Sequence, residues 1–278
     1  MKTHRLSAAV LALGSAVALA GCGSDPASEV AADCEPAHQF ETVEDGVLTV
    51  ALTNTPPYSF EENGEAAGID SDILATVAEQ ECLTVEYEAY TYATAVPAVE
   101  TGRVDVAVGG FYRTGARGEV VTLSAPVYLD ELTVMSADGV STVDDLVGKQ
   151  VGTVEGYLWV DALRELLGDG LRTYPDSLSL AQDLTAGRLD IGLDGYGAAA
   201  QSTDGTDLEI AVLETDPRVP ATEEPSQTSL LLDPSNDGLA TAVDEHIATM
   251  REDGSLVEIL EANGLPASAA EVGDPRLI

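Results

Sequence analysis

Basic residues are scarce in this chain, with 12 lysines and arginines against 49 aspartates and glutamates and a formal net charge of −37. Beyond the basic start of the chain, Lys149 is the only lysine. An acidic surface of this strength repels nucleic acid and leaves no basic patch to hold it, so nucleic acid is excluded as a partner. Against this background each arginine is conspicuous.

Histidine and cysteine are also rare, with three of each. Beyond the N-terminal segment only His38 and His246 remain, and no Cys/His cluster has the spacing of metal ligands. Ser/His/Asp, Cys/His and phosphate-loop patterns are absent as well, so nucleophilic catalysis has no support. We therefore predict neither a bound metal nor another cofactor.

Long apolar runs are absent beyond the first 21 residues. After the basic start MKTHR, the 15 residues LSAAVLALGSAVALA are uncharged, too short for a membrane span and typical of a signal peptide. The run ends in Leu19-Ala20-Gly21-Cys22, which resembles the lipobox of bacterial lipoproteins. The resemblance implies a signal peptide over residues 1–21 and a lipid on Cys22; an ordinary secretory signal with a chance cysteine is the alternative. We expect an extracytoplasmic chain, bound to the cell membrane through the lipid anchor only.

Besides the lipid-bearing Cys22, two cysteines, Cys34 and Cys82, remain after cleavage. Outside the cytoplasm an even pair usually forms a disulfide, and two free thiols are the alternative. A bridge would attach the N-terminal segment to the first folded unit. The sequence GSDPASEVAAD at 23–33 is small, polar and acidic, as is typical of a flexible tether, and we assign residues 22–45 to the tether.

Strand and helix patterns alternate from about residue 46. GVLTVAL and LTVEYEAY have the pattern of strands, and between them SDILATVAEQEC predicts a helix over 71–82, capped by Asp70 or Ser71. The same alternation restarts at KQVGTV, residues 149–154. Alternating elements of this kind favour two similar α/β lobes with mainly parallel sheets.

Two extended runs, at 125–139 and 226–233, lie where the chain would pass between the lobes. The helical stretches after the second run have no unit of their own to join, so we expect them to pack on the first lobe. This organisation predicts a first lobe of residues 46–127 and 231–278, and a second lobe of residues 128–230 that includes the hinge segments. The two lobes would be joined by a two-strand hinge.

One short phrase occurs twice, as TGRVDVAVGG at 101–110 and as AGRLDIGLDG at 186–195. We interpret the two copies as the equivalent strand in each lobe; two unrelated strands that share a common phrase are the alternative. Ligands of open parallel sheets bind beyond the carboxyl ends of the strands. We therefore expect VGGFY from the first lobe and LDGY from the second to line one cleft.

Five motifs resemble, in order, those of the family 3 extracellular solute-binding proteins, which serve ABC importers of polar amino acids. They are TPPYSF, GIDSDILATVAEQ, GRVDVAVGGFYRTGARGEVVTLSAPVY, VGKQVGTVEG and LTAGRLDIGLDGY, within about residues 46–264. The resemblance implies the periplasmic-binding-protein type II fold, in which two lobes close on a ligand.

The resemblance also implies a clamp for a small zwitterion. Arg117 stands in the family's Thr-x-x-Arg motif and would bind a carboxylate, whereas Asp194, at the end of the second-lobe strand, would bind an ammonium group. Both charges of a zwitterion need partners, because desolvating either one unpaired is costly. The alternatives are a solvated surface position for Arg117 and an N-cap role for Asp194, before a helix that begins near Tyr196.

Aromatic residues make up only 5% of the chain, and several fall at predicted strand ends and loops. We expect Tyr58, Tyr92, Tyr112 and Tyr157 to face the cleft, where their rings suit cationic or quaternary ammonium groups. Plain stacking on a ligand and a place in the hydrophobic core are the alternatives.

Two loops depart from the family. Gly156-Tyr157-Leu158 stands where hydroxylated residues are common, and Gly110 and Tyr112 stand where small hydroxylated residues are frequent. We include Gly110 among the expected ligand contacts. These departures extend the expected ligand class to modified, cyclic or methylated zwitterions.

These features predict a monomeric substrate-binding lipoprotein that captures a small zwitterionic solute, an amino acid or a derivative, and delivers it to an ABC permease. One rival is an enzyme, since a dehydratase of cyclic carboxylic acids is known on this fold and Glu155 would be its general acid. Another is a tethered sensor that presents its closed form to a signalling receptor. We expect a binding protein and no enzyme.

Overall fold

The computed structural model describes residues 30, 31 and 33–278. The predicted signal peptide and Cys22 lie outside the described residues. None of the helices among the described residues is long and apolar enough to cross a membrane.

The strands of the described residues form two large sheets and one hairpin. In chain order they are β1 Val47–Leu52, β2 Phe60–Glu62, β3 Glu65–Ala67, β4 Thr84–Ala89, β5 Val106–Tyr112, β6 Thr122–Leu123, β7 Leu129–Asp130, β8 Leu132–Ser136, β9 Val151–Val154, β10 Leu171–Tyr174, β11 Ile191–Gly195, β12 Glu209–Val212 and β13 Ser226–Leu232.

The α-helices of the described residues cover both sheets. They are α1 Ile69–Gln80, α2 Tyr92–Glu100, α3 Gly115–Gly118, α4 Val143–Leu146, α5 Val160–Leu167, α6 Ser177–Thr185, α7 Tyr196–Thr203, α8 Asp237–Asp253 and α9 Ser255–Ala262. Side-chain caps start several of them: Asp176 accepts the N–H of Ser179 at 2.7 Å before α6, and Asn236 accepts the N–H of Leu239 at 3.0 Å before α8.

Both sheets share one plan, which confirms the prediction of two similar α/β lobes. The first has the order β4-β1-β5-β13-β6, and the second has the order β10-β9-β11-β8-β12. In each sheet three strands run parallel, but β13 and β8 run antiparallel to their neighbours. Each sheet is therefore mixed, with three parallel strands next to an antiparallel one. The reason is that β8 and β13 arrive from the hinge and not through a crossover helix, which a parallel neighbour requires.

The repeated phrase occupies the same place in both lobes. β5 lies between β1 and β13, and β11 lies between β9 and β8. The aspartate of each copy makes the same kind of contact with the neighbouring strand region. Asp105 accepts the backbone N–H of Thr49 at 2.9 Å, and Asp190 accepts that of Gln150 at 2.8 Å. The echo therefore reflects equivalent strands rather than chance.

Helix α1 begins two residues earlier than the sequence predicted, and its N-cap is Gly68. A side chain at Gly68 would place its Cβ 2.6 Å from the Pro57 carbonyl oxygen, so the turn requires glycine. Asp70 is not the cap. Its buried carboxylate instead accepts hydrogen bonds from the backbone N–H groups of Gly109 and Gly110, because α1 packs across the end of β5.

The C-terminal helices pack on the first lobe. Leu239, Val243, Ile247 and Met250 form the buried face of α8 and share one apolar core with β1, β5, β13 and α1.

The strands of the second sheet all come from one stretch of the chain, from β8 to β12. The lobe boundary drawn at residue 230 falls inside β13, because this strand runs unbroken from the hinge into the first sheet.

The N-terminal segment lies on the first lobe from Cys34 onward, so the tether assigned to residues 22–45 extends too far. A disulfide joins Cys34 to Cys82, with their Cα atoms 5.8 Å apart. Further along, the Val43 N–H donates to Asp105 at 2.8 Å, and the Asn236 side chain donates to the Glu41 carbonyl at 2.6 Å. These contacts fix the segment to the lobe surface.

Candidate functional site

A narrow cavity of about 10 Å³, roughly the space of one water molecule, lies between the lobes, at the carboxyl-terminal halves of β5 and β11. Its position agrees with the rule that α/β sheets bind ligands at this edge. The lining residues come from both lobes and the hinge: Tyr58, Tyr92, Gly109, Gly110, Tyr112, Asp130, Tyr157, Leu158, Trp159 and Gly195.

Aromatic rings from the two lobes meet at this cavity. Tyr92 packs edge-to-face on Tyr157, with ring centroids 4.5 Å apart, and Tyr112 meets Trp159 at 5.8 Å. Tyr157 and Trp159 also contact each other at 4.9 Å. Burial raises the pKa of Tyr92 to about 12 and that of Tyr157 well above its ordinary value, so both stay neutral hydroxyl groups. Such walls suit an apolar or cationic portion of a small ligand.

Arg117 lies buried behind the first-lobe wall, in the short helix α3. Its guanidinium donates to the Tyr112 carbonyl at 2.8 Å, to the Tyr92 hydroxyl at 3.2 Å and to the second-lobe Gly156 carbonyl at 3.4 Å. The guanidinium carbon also lies 5.2 Å from the centre of the Phe111 ring. None of the ion pairs among the described residues involves Arg117. It is therefore a buried positive charge with no anionic partner in the described part of the chain, and the surface position is wrong.

Asp194 is fully buried at the end of β11. Its Oδ1 accepts the N–H of Gly195 at 2.8 Å and the hydroxyl of Tyr157 at 2.9 Å. Its Oδ2 has no hydrogen-bond partner among the described residues. Burial raises the pKa of Asp194 to about 7, and the nearby Ser177 hydroxyl opposes this rise. The same Ser177 hydroxyl lies 3.2 Å from the Tyr157 hydroxyl, within hydrogen-bond distance. An unpartnered buried oxygen calls for an explanation, and a cationic group is the natural partner.

The N-cap role considered for Asp194 is wrong. Helix α7 is capped by Gly195, with no hydrogen bond from the cap side chain. Its first N–H groups are bound instead by one group from the hinge and one from the first lobe. Asp130 accepts the N–H of Tyr196 at 2.9 Å, and the Tyr58 hydroxyl accepts that of Gly197 at 2.9 Å.

Asp130 is the buried acid of the hinge, at the end of β7. Its Oδ2 accepts the hydroxyls of Tyr58 and Tyr112, both at 2.8 Å. Burial raises the pKa of Asp130, but the two hydroxyls and the Tyr196 N–H stabilise the ionised form. Since Tyr58 already accepts the N–H of Gly197, its own proton is directed at Asp130. Tyr58 thus connects a first-lobe loop, the hinge and the second lobe.

Two glycines allow this close approach. A Cβ on Gly110, whose φ is +64°, would lie 2.9 Å from the Tyr58 ring, and a Cβ on Gly195 would lie 2.2 Å from Asp130 Oδ2. A side chain at Gly110 is therefore excluded, because the Tyr58 ring fills that space.

The structure gathers the predicted residues at one place. Tyr58, Tyr92, Gly110, Tyr112 and Tyr157 line the cavity, whereas Arg117 and Asp194 stand behind it, hydrogen-bonded to Tyr92 and Tyr157. The prediction did not include Asp130, Leu158 or Trp159 among the site residues. The signal for Asp130 was an acid inside the apolar run APVYLDELTV.

Glu155 does not lie at the cavity. Its side chain is 47% exposed and pairs with Arg164 at 3.3 Å. The reason is that the strand end at Val154 turns before Glu155, whose N–H is held by the Tyr174 carbonyl at 2.8 Å. A general acid needs contact with the substrate, so this candidate lacks the necessary position.

The chain matches known proteins over most of its length. The model of the family described as bacterial extracellular solute-binding proteins, family 3, matches residues 48–264. The L-cystine-binding protein TcyJ of Escherichia coli is 27% identical over 226 residues, covering 78% of this chain and 82% of the relative. The probable amino-acid-binding protein YxeM of Bacillus subtilis is 25% identical over 235 residues, covering 82% and 88%.

A solved structure shares the fold. An amino acid ABC transporter substrate-binding protein, AbpA from Streptococcus pneumoniae bound to L-arginine, superposes with a TM-score of 0.70 and 23% identity. The superposition covers 82% of this chain and 97% of that one. At this identity the likeness shows the fold alone.

Proposed function

This chain belongs to the bacterial extracellular solute-binding proteins of family 3, and we propose that it captures one small zwitterionic solute between Arg117 and Asp194. The solute class is an amino acid or a close derivative. The relatives named for L-cystine and for amino acids support this class. As a member of this family the protein works outside the cytoplasm.

The observation that carries the proposal is a pair of buried charged side chains on opposite lobes, neither of which has an ion-pair partner among the described residues. Arg117 has no carboxylate partner among the described residues, and Asp194 Oδ2 accepts no hydrogen bond there. A ligand carboxylate beside the guanidinium and a ligand ammonium beside Oδ2 would satisfy both. Burying either ionic group of a ligand without such a partner costs several kcal/mol, on the order of 2–5.

The rest of the ligand would lie against the aromatic rings. Tyr92 and Tyr112 contribute from the first lobe, and Tyr157 and Trp159 from the second. The second-lobe loop adds Leu158 instead of a hydroxyl donor, so the site favours an apolar, cyclic or alkylated portion over a strongly polar one. The site thus suits amino acids with such side chains and compact cyclic zwitterions.

Binding would require the lobes to be closed, because each lobe supplies one charge. Contacts that already join the lobes include Arg117 to the Gly156 carbonyl and Tyr58 to the Gly197 N–H. A ligand that bridges the lobes stabilises this arrangement relative to an open one. The closed form is what an ABC permease would receive.

We further propose that the processed chain is a monomer held at the membrane by a lipid on Cys22. The lipobox-like Leu19-Ala20-Gly21-Cys22 supports the anchor. We propose delivery to an ABC permease, which is the function of substrate-binding proteins of this class. A role as a ligand sensor would use the same closure of the two lobes on the ligand. A dehydratase is not favoured, because Glu155 is half exposed and lies away from the cavity.

The test is a thermal-shift screen of residues 22–278 carrying Cys22→Ser, which leaves the chain unlipidated. The panel contains the common amino acids, betaine- and ectoine-like solutes and cyclic carboxylic acids. A ligand at about one hundred times its Kd adds about 2.7 kcal/mol to the free energy of unfolding. We expect one class of zwitterion to raise the Tm, and Arg117→Lys, which keeps the charge but loses the planar fork, to abolish most of the shift.

Arg164→Ala is the matched control, since this exposed arginine pairs only with Glu155 and Asp161 among the described residues. It should keep the full ligand-induced shift. A screen in which no zwitterion raises the Tm, or in which only the cyclic carboxylic acids raise it, would contradict the proposal.

A further inference from the structure

His38 and His246 meet at one buried carboxylate, far from the cavity between the lobes. His38 lies in the N-terminal segment, Glu81 is the C-cap of α1, and His246 lies in α8. His38 Nδ1 and His246 Nε2 both contact Glu81 Oε1, each at 2.6 Å. Three segments that are distant in the sequence thus bring two imidazoles and one carboxylate oxygen together.

The surroundings of this cluster orient its members. The Glu81 side chain is 1% exposed, and its second oxygen, Oε2, accepts the backbone N–H of His38 at 2.8 Å. The other ring nitrogen of His38, Nε2, lies 3.1 Å from Glu245 Oε2. Histidines that bind metals commonly donate their remaining ring N–H to a carboxylate in this way.

We propose that His38, Glu81 and His246 form a binding site for a divalent transition-metal ion, with Zn²⁺ the best match. Two imidazoles and a carboxylate are a ligand set that zinc uses, whereas Ca²⁺ and Mg²⁺ prefer oxygen ligands throughout. One ligand atom from each residue lies within 4.8 Å of the others. No cysteine is needed, since Cys34 and Cys82 are committed to the neighbouring disulfide.

The geometry needs only a small adjustment. Ligand atoms around a tetrahedral zinc ion lie about 3.3 Å apart, because each is held at about 2.0–2.1 Å from the metal. The two contacts of 2.6 Å would therefore open by about 0.7 Å. The imidazoles can make this movement, since the side chains of His38 and His246 are 21% and 13% exposed.

The site is accessible and has a structural consequence. His38 and Glu81 line a surface groove together with Cys82, which gives the ion a path from solvent. A bound ion would hold the N-terminal segment to both α1 and α8, next to the Cys34–Cys82 bridge. It would fix the point at which the membrane tether leaves the first lobe.

The test is a calorimetric titration of metal-free residues 22–278, carrying Cys22→Ser, with ZnCl₂ at near-neutral pH and physiological salt. We expect one ion per chain, and a loss of affinity greater than about 100-fold in His246→Ala, since removing even an outer partner costs 10–100-fold. Glu245→Gln should weaken binding about tenfold. Glu252→Gln, the same change at an exposed position of α8, should leave it unchanged.

A second readout separates this site from the acidic surface. Co²⁺ bound by two imidazoles and a carboxylate should give a visible absorption band, and His38→Ala should abolish it while the Tm of the metal-free chain shows that the variant remains folded. Zn²⁺ binding of equal strength in the parent and in a His38→Ala/His246→Ala double variant would overturn the proposal, as would no binding at all. Neither result bears on the zwitterion site.

Discussion

Within the repeated phrase the first lobe has Gly109 in the middle of β5, whereas at the matching position of β11 the second lobe has Asp194. Both lobes nevertheless bury a carboxylate at this corner. In the first lobe it is Asp70 from α1, which accepts the N–H groups of Gly109 and Gly110 at 2.9 Å and the hydroxyl of Tyr128 at 3.0 Å. Gly109 has no room for a side chain of its own, because a Cβ would lie 2.1 Å from Thr53 Oγ1.

The two carboxylates differ in what they leave unsatisfied. Burial raises the pKa of Asp70 to about 6 and that of Asp194 to about 7, so both are costly to ionise. Both oxygens of Asp70 are occupied, whereas Oδ2 of Asp194 has no partner in the described part of the chain. We infer that Asp70 holds the first lobe together and that Asp194 is reserved for a ligand.

The largest expected effect is on stability, in Asp70→Ala. The change leaves three buried donors without an acceptor, and each unsatisfied group costs about 1–3 kcal/mol. We expect the free energy of unfolding, measured by urea titration, to fall by about 3 kcal/mol or more. A loss below about 1 kcal/mol would show that Asp70 does not have this structural role.

Asp194→Asn should show the opposite profile. The amide keeps an oxygen for the Gly195 N–H and Tyr157 but cannot neutralise an ammonium group, so ligand affinity should fall by about 2 kcal/mol, roughly 30-fold. The free energy of unfolding without ligand should change by less than about 1 kcal/mol, because a costly buried charge is also removed. Calorimetric titration and urea unfolding of one preparation check both. Unchanged ligand affinity would contradict the assignment.

Ligand affinity should depend on pH near 7. A ligand ammonium group requires an ionised Asp194. Without ligand, burial holds the pKa of Asp194 at about 7, and the groups that face this carboxyl are Tyr157, Ser177 and Asp130. Affinity should therefore fall about fivefold from pH 7 to pH 6, about tenfold from pH 8 to pH 6, and level off above about pH 8. Titrations in buffers of different ionisation enthalpy should show proton release at pH 6.5. A flat profile from pH 6 to pH 8 would disagree with this role.

The raised pKa of Asp194 also predicts the direction in which the free energy of unfolding changes with pH. The pKa of Asp194 is raised in the folded state, so the unfolded chain loses its proton first as the pH rises. This group should therefore make the ligand-free protein less stable as the pH increases from about 4 to about 7. The trend should be weaker in Asp194→Asn, measured by urea unfolding across that range; an identical trend in both proteins would assign it to other groups.

The smallest expected effect is that of Tyr58→Phe. It removes the hydroxyl that joins Asp130 to the Gly197 N–H, and closure should weaken by about 1 kcal/mol, a roughly fivefold loss of ligand affinity. Tyr128→Phe is the matched control, because its ring stacks on Tyr58 at 5.8 Å but its hydroxyl binds Asp70. The control should lower stability without changing affinity. Equal effects of both changes on affinity would remove the distinction between the two tyrosines.

Much of the fold could be predicted because local patterns carried it. The apolar face of α8 and the repeated phrase at β5 and β11 need only the neighbouring residues to be recognised, and both appear as expected. Tyr92 and Tyr157 could be placed because each lies three residues after the end of a strand, β4 and β9 respectively. The pairing of Cys34 with Cys82 required only that two cysteines are left besides the predicted lipidation site at Cys22.

The remainder depends on long-range contacts that no local pattern contains. Asp70 looks like a helix cap in sequence, but the end of β5 supplies stronger donors. Asp130 becomes a site residue only because Tyr58 and α7 reach the hinge from opposite lobes. The cluster of His38, Glu81 and His246 is invisible to spacing rules, since its members are brought together by the packing of α8 on α1.

The central claim is that two buried charges on opposite lobes clamp the two ends of a zwitterion. The most direct measurement is a calorimetric titration with the best zwitterion from the screen, its amide and its N-acetyl form, which remove the negative and the positive end in turn. The account predicts that each blocked form binds at least about 30-fold more weakly than the parent zwitterion. Binding of either blocked form with the affinity of the parent would contradict the clamp.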